Sequence, residues 1–225
     1  MSTSYSLSPD RKVSLTAGLF YLLTFVSIPS ISLYAGIHDP GYMTSVGADT
    51  KVIIGGLLEI TVALAGIATA LVLYPVLKKQ HRVMSMGLLL SRVLEASTMF
   101  AGVAFLLGTV SLHQSGLGTS GNVTAQALVA LYDRIFLLGQ SFLPAINDLL
   151  LGLLLYRSGL VPRLLAMIGI IGAFPLIAGY LATMFGSIGQ HSVLAGLSAL
   201  PVAVFEFFLG LYLVIKGFRV VPTIK

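Results

Sequence analysis

Six long apolar stretches dominate this sequence, and each is long enough to cross a lipid bilayer as a helix. They cover residues 14–36, 52–77, 83–110, 127–156, 164–186 and 192–215. The hydrocarbon core of a bilayer is ~30 Å thick, which corresponds to ~20 residues of α-helix. The alternating ~10-residue pattern of a transmembrane β-barrel is missing, so helices are the expected spanning elements. The sequence therefore predicts an all-α polytopic membrane protein, with one transmembrane domain over residues 1–225.

The composition excludes most classes of water-soluble protein. Charged residues make up 9% of the chain and apolar residues 56%, whereas about 25% of the residues in a soluble domain are charged. A soluble enzyme, a nucleic-acid-binding protein and a secreted disulfide-rich domain are therefore excluded as the main interpretation. The chain has no cysteine, which also removes thiolate chemistry and cysteine-based metal sites.

The basic residues predict how the chain is oriented. Of the 13 Lys and Arg residues, Lys51 falls in a loop on one side, Arg92 and Arg134 fall inside spans, and all the others lie on the second side. Segments rich in Lys and Arg face the cytoplasm, so we expect both termini to be cytoplasmic. The net charge of +5 thus reflects orientation, and no nucleic-acid partner is expected. The residues on the second side are Arg11, Lys12, Lys78, Lys79, Arg82, Arg157, Arg163, Lys216, Arg219 and Lys225.

Several segments, taken in order, are similar to a known family. They are AGLFYLL at 17–23, LYPVLKK at 73–79, SRVLEA at 91–96, the run from LLLG at 149–152 to LYRSGLVPR at 155–163, LPVAVFE at 200–206 and IKGF at 215–218. Together they resemble a prokaryotic membrane family, domain of unknown function 4386, over about residues 11–219. The resemblance implies a multi-pass protein of the bacterial or archaeal plasma membrane. It supplies no catalytic residue, because the family has no established activity.

Ionisable side chains inside the predicted spans are the most informative feature of the sequence. A charge at the centre of a bilayer costs ~2.5–3.5 kcal/mol on insertion scales, so such groups are expected to face inward, to pair or to be neutral. Five of them are acids and two are arginines, which leaves at least three acids without a cation inside the membrane. The seven residues are Glu59, Arg92, Glu95, Asp133, Arg134, Asp148 and Glu206.

Depth along each span, counted at ~1.5 Å per residue, places five of these residues toward the outer half of the bundle. They are predicted to form one polar network of Glu59, Arg92, Glu95, Asp133 and Arg134. Arg92 and Glu95 are three residues apart on one helix face, where they can pair. The network fits either structural contacts between helices or a polar substrate cavity.

The other two acids, Asp148 and Glu206, are placed in the inner half with no basic residue at their level. A buried carboxyl group in this position fits a neutral group that is hydrogen-bonded to a neighbouring helix. It equally fits a proton- or ion-linked site. The sequence leaves both interpretations open.

Histidines and tyrosines are expected to have structural roles. His38, His113 and His191 lie in predicted outer loops with Asp39 nearby, but none has the i, i+3 or i+4 spacing of a helical metal site. We therefore expect no metal site and no cofactor. Six tyrosines lie largely near span ends, where they are expected to anchor the protein at the membrane interface: Tyr21, Tyr34, Tyr74, Tyr132, Tyr156 and Tyr212.

Three classes of function remain open. The favoured class is an assembly or sensing subunit whose partners are the lipid bilayer and either another membrane protein or a second copy of the chain. The alternative is a small proton-linked transporter or permeation protein, which a water-filled cavity reaching Asp148 or Glu206 would favour. An intramembrane enzyme acting on lipids would need a lipid-open groove lined by Glu59, Arg92 and Glu95. No hydrolase, zinc-protease or P-loop motif occurs, so no catalytic residue is predicted, and the substrate stays open.

Overall fold

The computed structural model describes residues 8–47 and 49–219. Within these ranges the secondary structure is helical and contains no strand, as the sequence predicts. Short 3₁₀ turns occur at Ala35–His38, Tyr42–Thr44 and Gly118–Gly121. The α-helices are α1 (Pro9–Thr24), α2 (Ser27–Tyr34), α3 (Asp49–Leu77), α4 (Arg82–Gln114), α5 (Asn122–Leu137), α6 (Leu143–Ser158), α7 (Arg163–Met184) and α8 (Val193–Ile215).

These helices make six segments that are long and apolar enough to cross a membrane, which confirms the predicted number of spans. The first span consists of α1 and α2, the fourth consists of α5 and α6, and each other span is one helix. The predicted and observed ends differ most at the starts of the first and fourth spans. There α1 begins at Pro9 instead of residue 14, and α5 begins at Asn122 instead of residue 127.

The first span is interrupted between α1 and α2. Pro29 has no backbone N–H to donate to the carbonyl of Phe25, so an α-helical hydrogen bond cannot form there. Phe25 O instead accepts a hydrogen bond from the Ile28 N–H, at 3.2 Å. The chain leaves the α-helix at Phe25 and begins a second one at Ser27.

The fourth span contains a π-helical turn, Leu138–Phe142, which ends two residues before Pro144. Pro144 cannot donate to the carbonyl of Gln140, and a wider turn accommodates the lost bond. The Leu143 N–H accordingly donates to Leu138 O, five residues back. Both interruptions therefore follow from a proline inside a span.

The six spans form a closed ring. Going round it, α8 packs on α1, α1 on α3, α3 on α4, α4 on α6, α6 on α7 and α7 on α8. At the contact between α1 and α8, a Cβ atom added to Gly18 would lie 2.7 Å from the carbonyl oxygen of Gly210. Lipid is as apolar as a helix surface, so close packing through small residues supplies much of the attraction between spans.

The ring has two distinct ends, which we call the basic side and the opposite side. The basic side comprises the connections 78–81 and 159–162 together with the ends near residues 8 and 219. The opposite side comprises 35–47, 115–121 and 185–192. Arg11 Nη1 at the start of α1 donates to the carbonyl oxygen of Leu213 at the end of α8, at 2.8 Å, and so ties the first and last spans together on the basic side.

The two halves of the ring are packed differently. The largest hydrophobic core fills the basic half, where Tyr21, Leu77, Leu88, Leu155 and Phe205 are among its buried side chains. Toward the opposite side the spans line a cavity, beside a second buried hydrophobic cluster between α2, α3, α4 and α5. The opposite half of the bundle is thus only partly packed.

Candidate functional site

A cavity of about 360 Å³ lies inside the ring, and we call it the central cavity. Side chains from all six spans line it. It extends from Thr183, Gln190 and Ala195 on the opposite side down to Arg92 and Glu206 at its floor. Pockets of ~300–1,000 Å³ typically hold small molecules. The central cavity is therefore large enough to bind a small solute.

Four ionisable side chains meet at the floor of the central cavity, and we call them the charged cluster. Arg92 in α4 donates from Nη1 to Glu95 Oε2, at 3.0 Å. From Nη2 it donates to Glu206 Oε1 in α8, and the same nitrogen lies 3.9 Å from Asp148 Oδ1 in α6. One guanidinium thus contacts three carboxyl groups from three helices.

A tyrosine and an asparagine support the charged cluster. The guanidinium carbon of Arg92 lies 5.7 Å from the centre of the Tyr21 ring, a distance at which a cation is attracted to an aromatic face. Asn147 Nδ2 donates to Glu95 Oε2 at 2.7 Å. These contacts hold Arg92 and Glu95 in fixed positions between α1, α4 and α6.

Asp148 is the least satisfied member of the charged cluster. It is fully buried, and neither carboxyl oxygen has a hydrogen-bond partner among residues 8–47 and 49–219. A buried polar group without a hydrogen bond is energetically costly. Asp148 is thus a buried carboxyl group whose hydrogen-bonding capacity is unused within the described residues.

The prediction that Asp148 and Glu206 have no base at their level is wrong, because Arg92 contacts both. Arg92 lies ten residues after the start of α4 at Arg82, and Asp148 lies ten residues before the end of α6 at Ser158. Glu206 lies nine residues before the end of α8. At ~1.5 Å per residue, all three Cα atoms are therefore at nearly the same depth from the basic side. Assigning Arg92 to the outer half of its long span was the mistake.

The prediction of one outer network is also wrong, because only Arg92 and Glu95 of its five members contact each other. Glu59, which is 1% exposed, lies in a separate site. Tyr34 donates its hydroxyl to Glu59 Oε1 at 2.6 Å, and Gln140 Nε2 donates to Oε2 at 2.8 Å. Both oxygens of Glu59 are therefore satisfied without an arginine.

Asp133 and Arg134 do not contact the other members of the predicted network, and the reason is geometric. Adjacent residues on a helix with 3.6 residues per turn are ~100° apart, so these two side chains face different neighbours. Asp133 Oδ1 lies 3.0 Å from His38 Nε2. Arg134 Nη2 donates to Gln190 Oε1 at 3.3 Å. Both contacts lie near the opposite side, away from the charged cluster.

Three of the tyrosines expected at the membrane interface are buried in the bundle instead. Tyr21, Tyr34 and Tyr132 are 1%, 2% and 4% exposed, and the first two contact the buried charges. The sequence analysis also missed Asn147 and Gln140. An amide side chain in the middle of an apolar span is itself a signal of an internal polar site, and that signal is present at both positions.

The outer histidines separate into two groups. His38 and His191 come together with Asp133, and one ligand atom from each residue lies within 4.8 Å of the others. His113 lies elsewhere, with Nδ1 at 2.7 Å from Asp49 Oδ1. Asp39, which follows His38 in the sequence, accepts a hydrogen bond from the Gly41 N–H in its own turn.

Comparison with known proteins identifies the family. No curated protein and no solved structure shows a significant match to the chain. The family profile described as Domain of unknown function (DUF4386) matches residues 16–217, which include all six spans almost completely and every residue of the charged cluster. The protein is therefore a multi-pass membrane protein that belongs to the DUF4386 family.

Proposed function

We propose that this protein is a transporter of the cell membrane that exchanges protons for a small organic cation, with the central cavity as the binding site. The observation that carries the proposal is the surplus of carboxyl groups at the cavity floor. Three carboxyls surround one guanidinium there. Glu206 and Glu95 both line the cavity, so a bound solute can reach them.

The charge balance of this cluster favours a cationic ligand. With all four groups ionised, the cluster would carry two net negative charges in a region of low dielectric, where unbalanced charge is expensive. Protons on the carboxyls or a bound cation can supply the missing positive charge. Because both neutralise the same carboxyls, binding of one lowers the affinity for the other, which is the linkage that proton exchange requires.

The two interrupted spans support a role in transport. Phe25 and Ser27 at the break between α1 and α2 line the central cavity, and so do Gln140, Ser141 and Pro144 at the π-helical turn. Interrupted helices beside a midplane cavity are typical of secondary transporters, and π-helical turns often occur at functional sites. Opening the packed basic half would give the cavity access to the second side of the membrane.

The other two candidate functions fit the geometry less well. An assembly or sensing subunit needs only a packed core, whereas this ring surrounds a cavity. A lipid-modifying enzyme was expected to line one groove with Glu59, Arg92 and Glu95. Glu59 is not among the residues that line the central cavity, and Tyr34 and Gln140 already occupy its carboxyl oxygens. We therefore favour transport over both.

The purified protein in liposomes should take up the small aromatic monocation N-methyl-4-phenylpyridinium when a pH gradient is imposed. Glu206→Gln keeps the shape of the side chain but removes its charge and its titratable proton. We expect this variant to lose at least about tenfold in uptake rate, and Asp148→Asn to lose the dependence on the pH gradient. Uptake is measured with radiolabelled cation, and proton movement with a pH-sensitive dye inside the vesicles.

A matched control is Glu59→Gln, which also neutralises a buried acid but lies outside the charged cluster. It should retain pH-driven uptake once its folding in detergent has been checked. Equal uptake by wild type and Glu206→Gln would contradict the proposal. So would uptake that continues unchanged when the pH gradient is collapsed.

The same proposal places the basic side in the cytoplasm, following the distribution of Lys and Arg. Reporter fusions after Lys79 and after Arg157 should then read cytoplasmic. A fusion at Gly118, on the opposite side, should read external. The reverse pattern would mean that the central cavity lies toward the cytoplasm in this conformation, and would overturn the proposed orientation.

A further inference from the structure

We propose that His38, Asp133 and His191 form a binding site for one divalent transition-metal ion, with Zn²⁺ as the best fit, on the opposite side of the bundle. One ligand atom from each residue lies within 4.8 Å of the other two. His38 ends the 3₁₀ turn after the first span, Asp133 lies in α5, and His191 lies in the connection between α7 and α8. The bound ion would link three segments that are distant in the sequence.

The donor set suits zinc. Two imidazoles and one carboxylate are the three protein ligands of one common type of zinc site, which leaves a fourth position for water or another ligand. Bond lengths of ~2.0–2.2 Å to nitrogen and oxygen put tetrahedral ligand atoms roughly 3.4 Å apart. His38 Nε2 and Asp133 Oδ1 are already 3.0 Å apart. Small side-chain rotations within the present arrangement can therefore complete the site.

The His38 ring is already held in the orientation of a ligand. Its Nδ1 lies 3.2 Å from the carbonyl oxygen of Ala35, which requires a proton on Nδ1 because a carbonyl oxygen only accepts. Nε2 donates to Asp133 Oδ1 in the absence of metal, and a metal ion that replaces this proton would meet the lone pair of Nε2 beside the carboxylate. Metal-binding histidines commonly donate their second nitrogen to a backbone carbonyl in this way.

The position of His191 is the observation that a simple ion pair does not explain. A hydrogen bond between His38 and Asp133 accounts for those two residues, yet the His191 ring also packs on His38, with ring centres 5.4 Å apart. The preceding residue fixes this connection, because Gln190 Nε2 donates to the carbonyl oxygen of Asp133 at 3.1 Å. His191 thus approaches the pair although its own ring makes no hydrogen bond within residues 8–47 and 49–219.

The charges around the site favour a cation. Arg134 is the nearest arginine along the chain, and its guanidinium bonds Gln190 instead of Asp133. Among the described residues no Lys or Arg pairs with Asp133, so its carboxylate keeps the capacity to bind a metal ion. The side chains of His38 and Asp133 are 34% and 19% exposed, and an ion can reach them from solvent.

The test uses the full chain in detergent, stripped with a chelator and then titrated with Zn²⁺ against a colorimetric zinc indicator. We expect one high-affinity zinc per chain. His38→Ala, Asp133→Asn and His191→Ala should each weaken binding by at least tenfold. Co²⁺ bound to the wild type should give the visible absorption bands of a four-coordinate N/O site, which reports the ligands without any variant.

His113→Ala is the matched control, because His113 also lies on the opposite side beside an aspartate, but no third His, Asp or Glu among the described residues joins that pair. It should bind zinc like the wild type. Circular dichroism and gel filtration show whether each variant is folded, and His191→Ala changes only a connection between helices. The proposal would be overturned if the wild-type protein did not bind one zinc per chain. It would also be overturned if all three site variants were folded and bound zinc like the wild type.

Discussion

Arg92→Ala is expected to destabilise the folded protein by about 3–5 kcal/mol, the range found when one partner of a buried ion pair is removed. Arg92 is 4% exposed, and it is the basic residue that contacts Glu95, Asp148 and Glu206. Without it, these carboxyls lose their cation in the middle of the bundle. Chemical or thermal unfolding in detergent, followed by circular dichroism, measures the loss.

Arg134→Ala is the matched control, because Arg134 also lies within a span but is exposed and bonds the neutral side chain of Gln190. It should stay within about 0.5 kcal/mol of wild type. Adding Glu206→Gln to Arg92→Ala removes one of the acids that the first substitution leaves without a cation. The double variant should recover roughly 1 kcal/mol or more of unfolding free energy, since contacting residues couple by ~0.5–3 kcal/mol. Exchanging Arg92 and Glu95 should not restore stability, because Glu206 would lose its partner. An Arg92→Ala variant that unfolds like wild type would contradict the described cluster.

The membrane fold was predictable because span length and hydropathy are local properties of the sequence. Each apolar stretch must satisfy its own backbone hydrogen bonds in lipid, so its length alone indicates a spanning helix. The packing order of the helices in the ring could not be predicted, because the sequence does not state which helix lies beside which. The close approach of Gly18 to Gly210, at opposite ends of the chain, is one example. The central cavity depends on that arrangement and could not be predicted.

The charged cluster shows which part of a site can be predicted from sequence. Arg92 and Glu95 were expected to pair because a spacing of three residues places both on one helix face. The contact of Arg92 with Asp148 and Glu206 was missed because Arg92 was assigned to the outer half of its long span. Counted from the basic side, Arg92 and Asp148 are each ten residues into the membrane and Glu206 is nine. At ~1.5 Å per residue this count places the three residues at one level, so the sequence itself contained the signal.

The histidine site illustrates a second limit. His38 and His191 are 153 residues apart in the sequence, and neither has a ligand neighbour at helical spacing. Asp133 was assigned to a network inside the membrane and was not considered as their partner. Only the closing of the ring brings the first span, the fourth span and the last connection together. Spacing rules detect metal sites that lie within one helix or one loop, and this one spans three segments.

Gly18→Ala is expected to cost about 3 kcal/mol, the upper end of the range for overpacked interiors. An added Cβ would lie 2.7 Å from Gly210 O and 2.9 Å from Val214 N. Both are backbone atoms, so no side-chain rotation relieves the contact and α1 must move away from α8. This contact closes the ring between the first and last spans. Unfolding in detergent measures the loss.

Gly66→Ala provides the comparison, because Gly66 is also a buried glycine inside a helix but an added Cβ there meets nothing within 4 Å. Alanine forms helix better than glycine by up to ~1 kcal/mol, so this variant should be as stable as wild type or slightly more stable. Equal stability of the two variants would mean that α1 and α8 are not in the contact described. The ring would then be open between the first and last spans, and the central cavity would lack one of its walls.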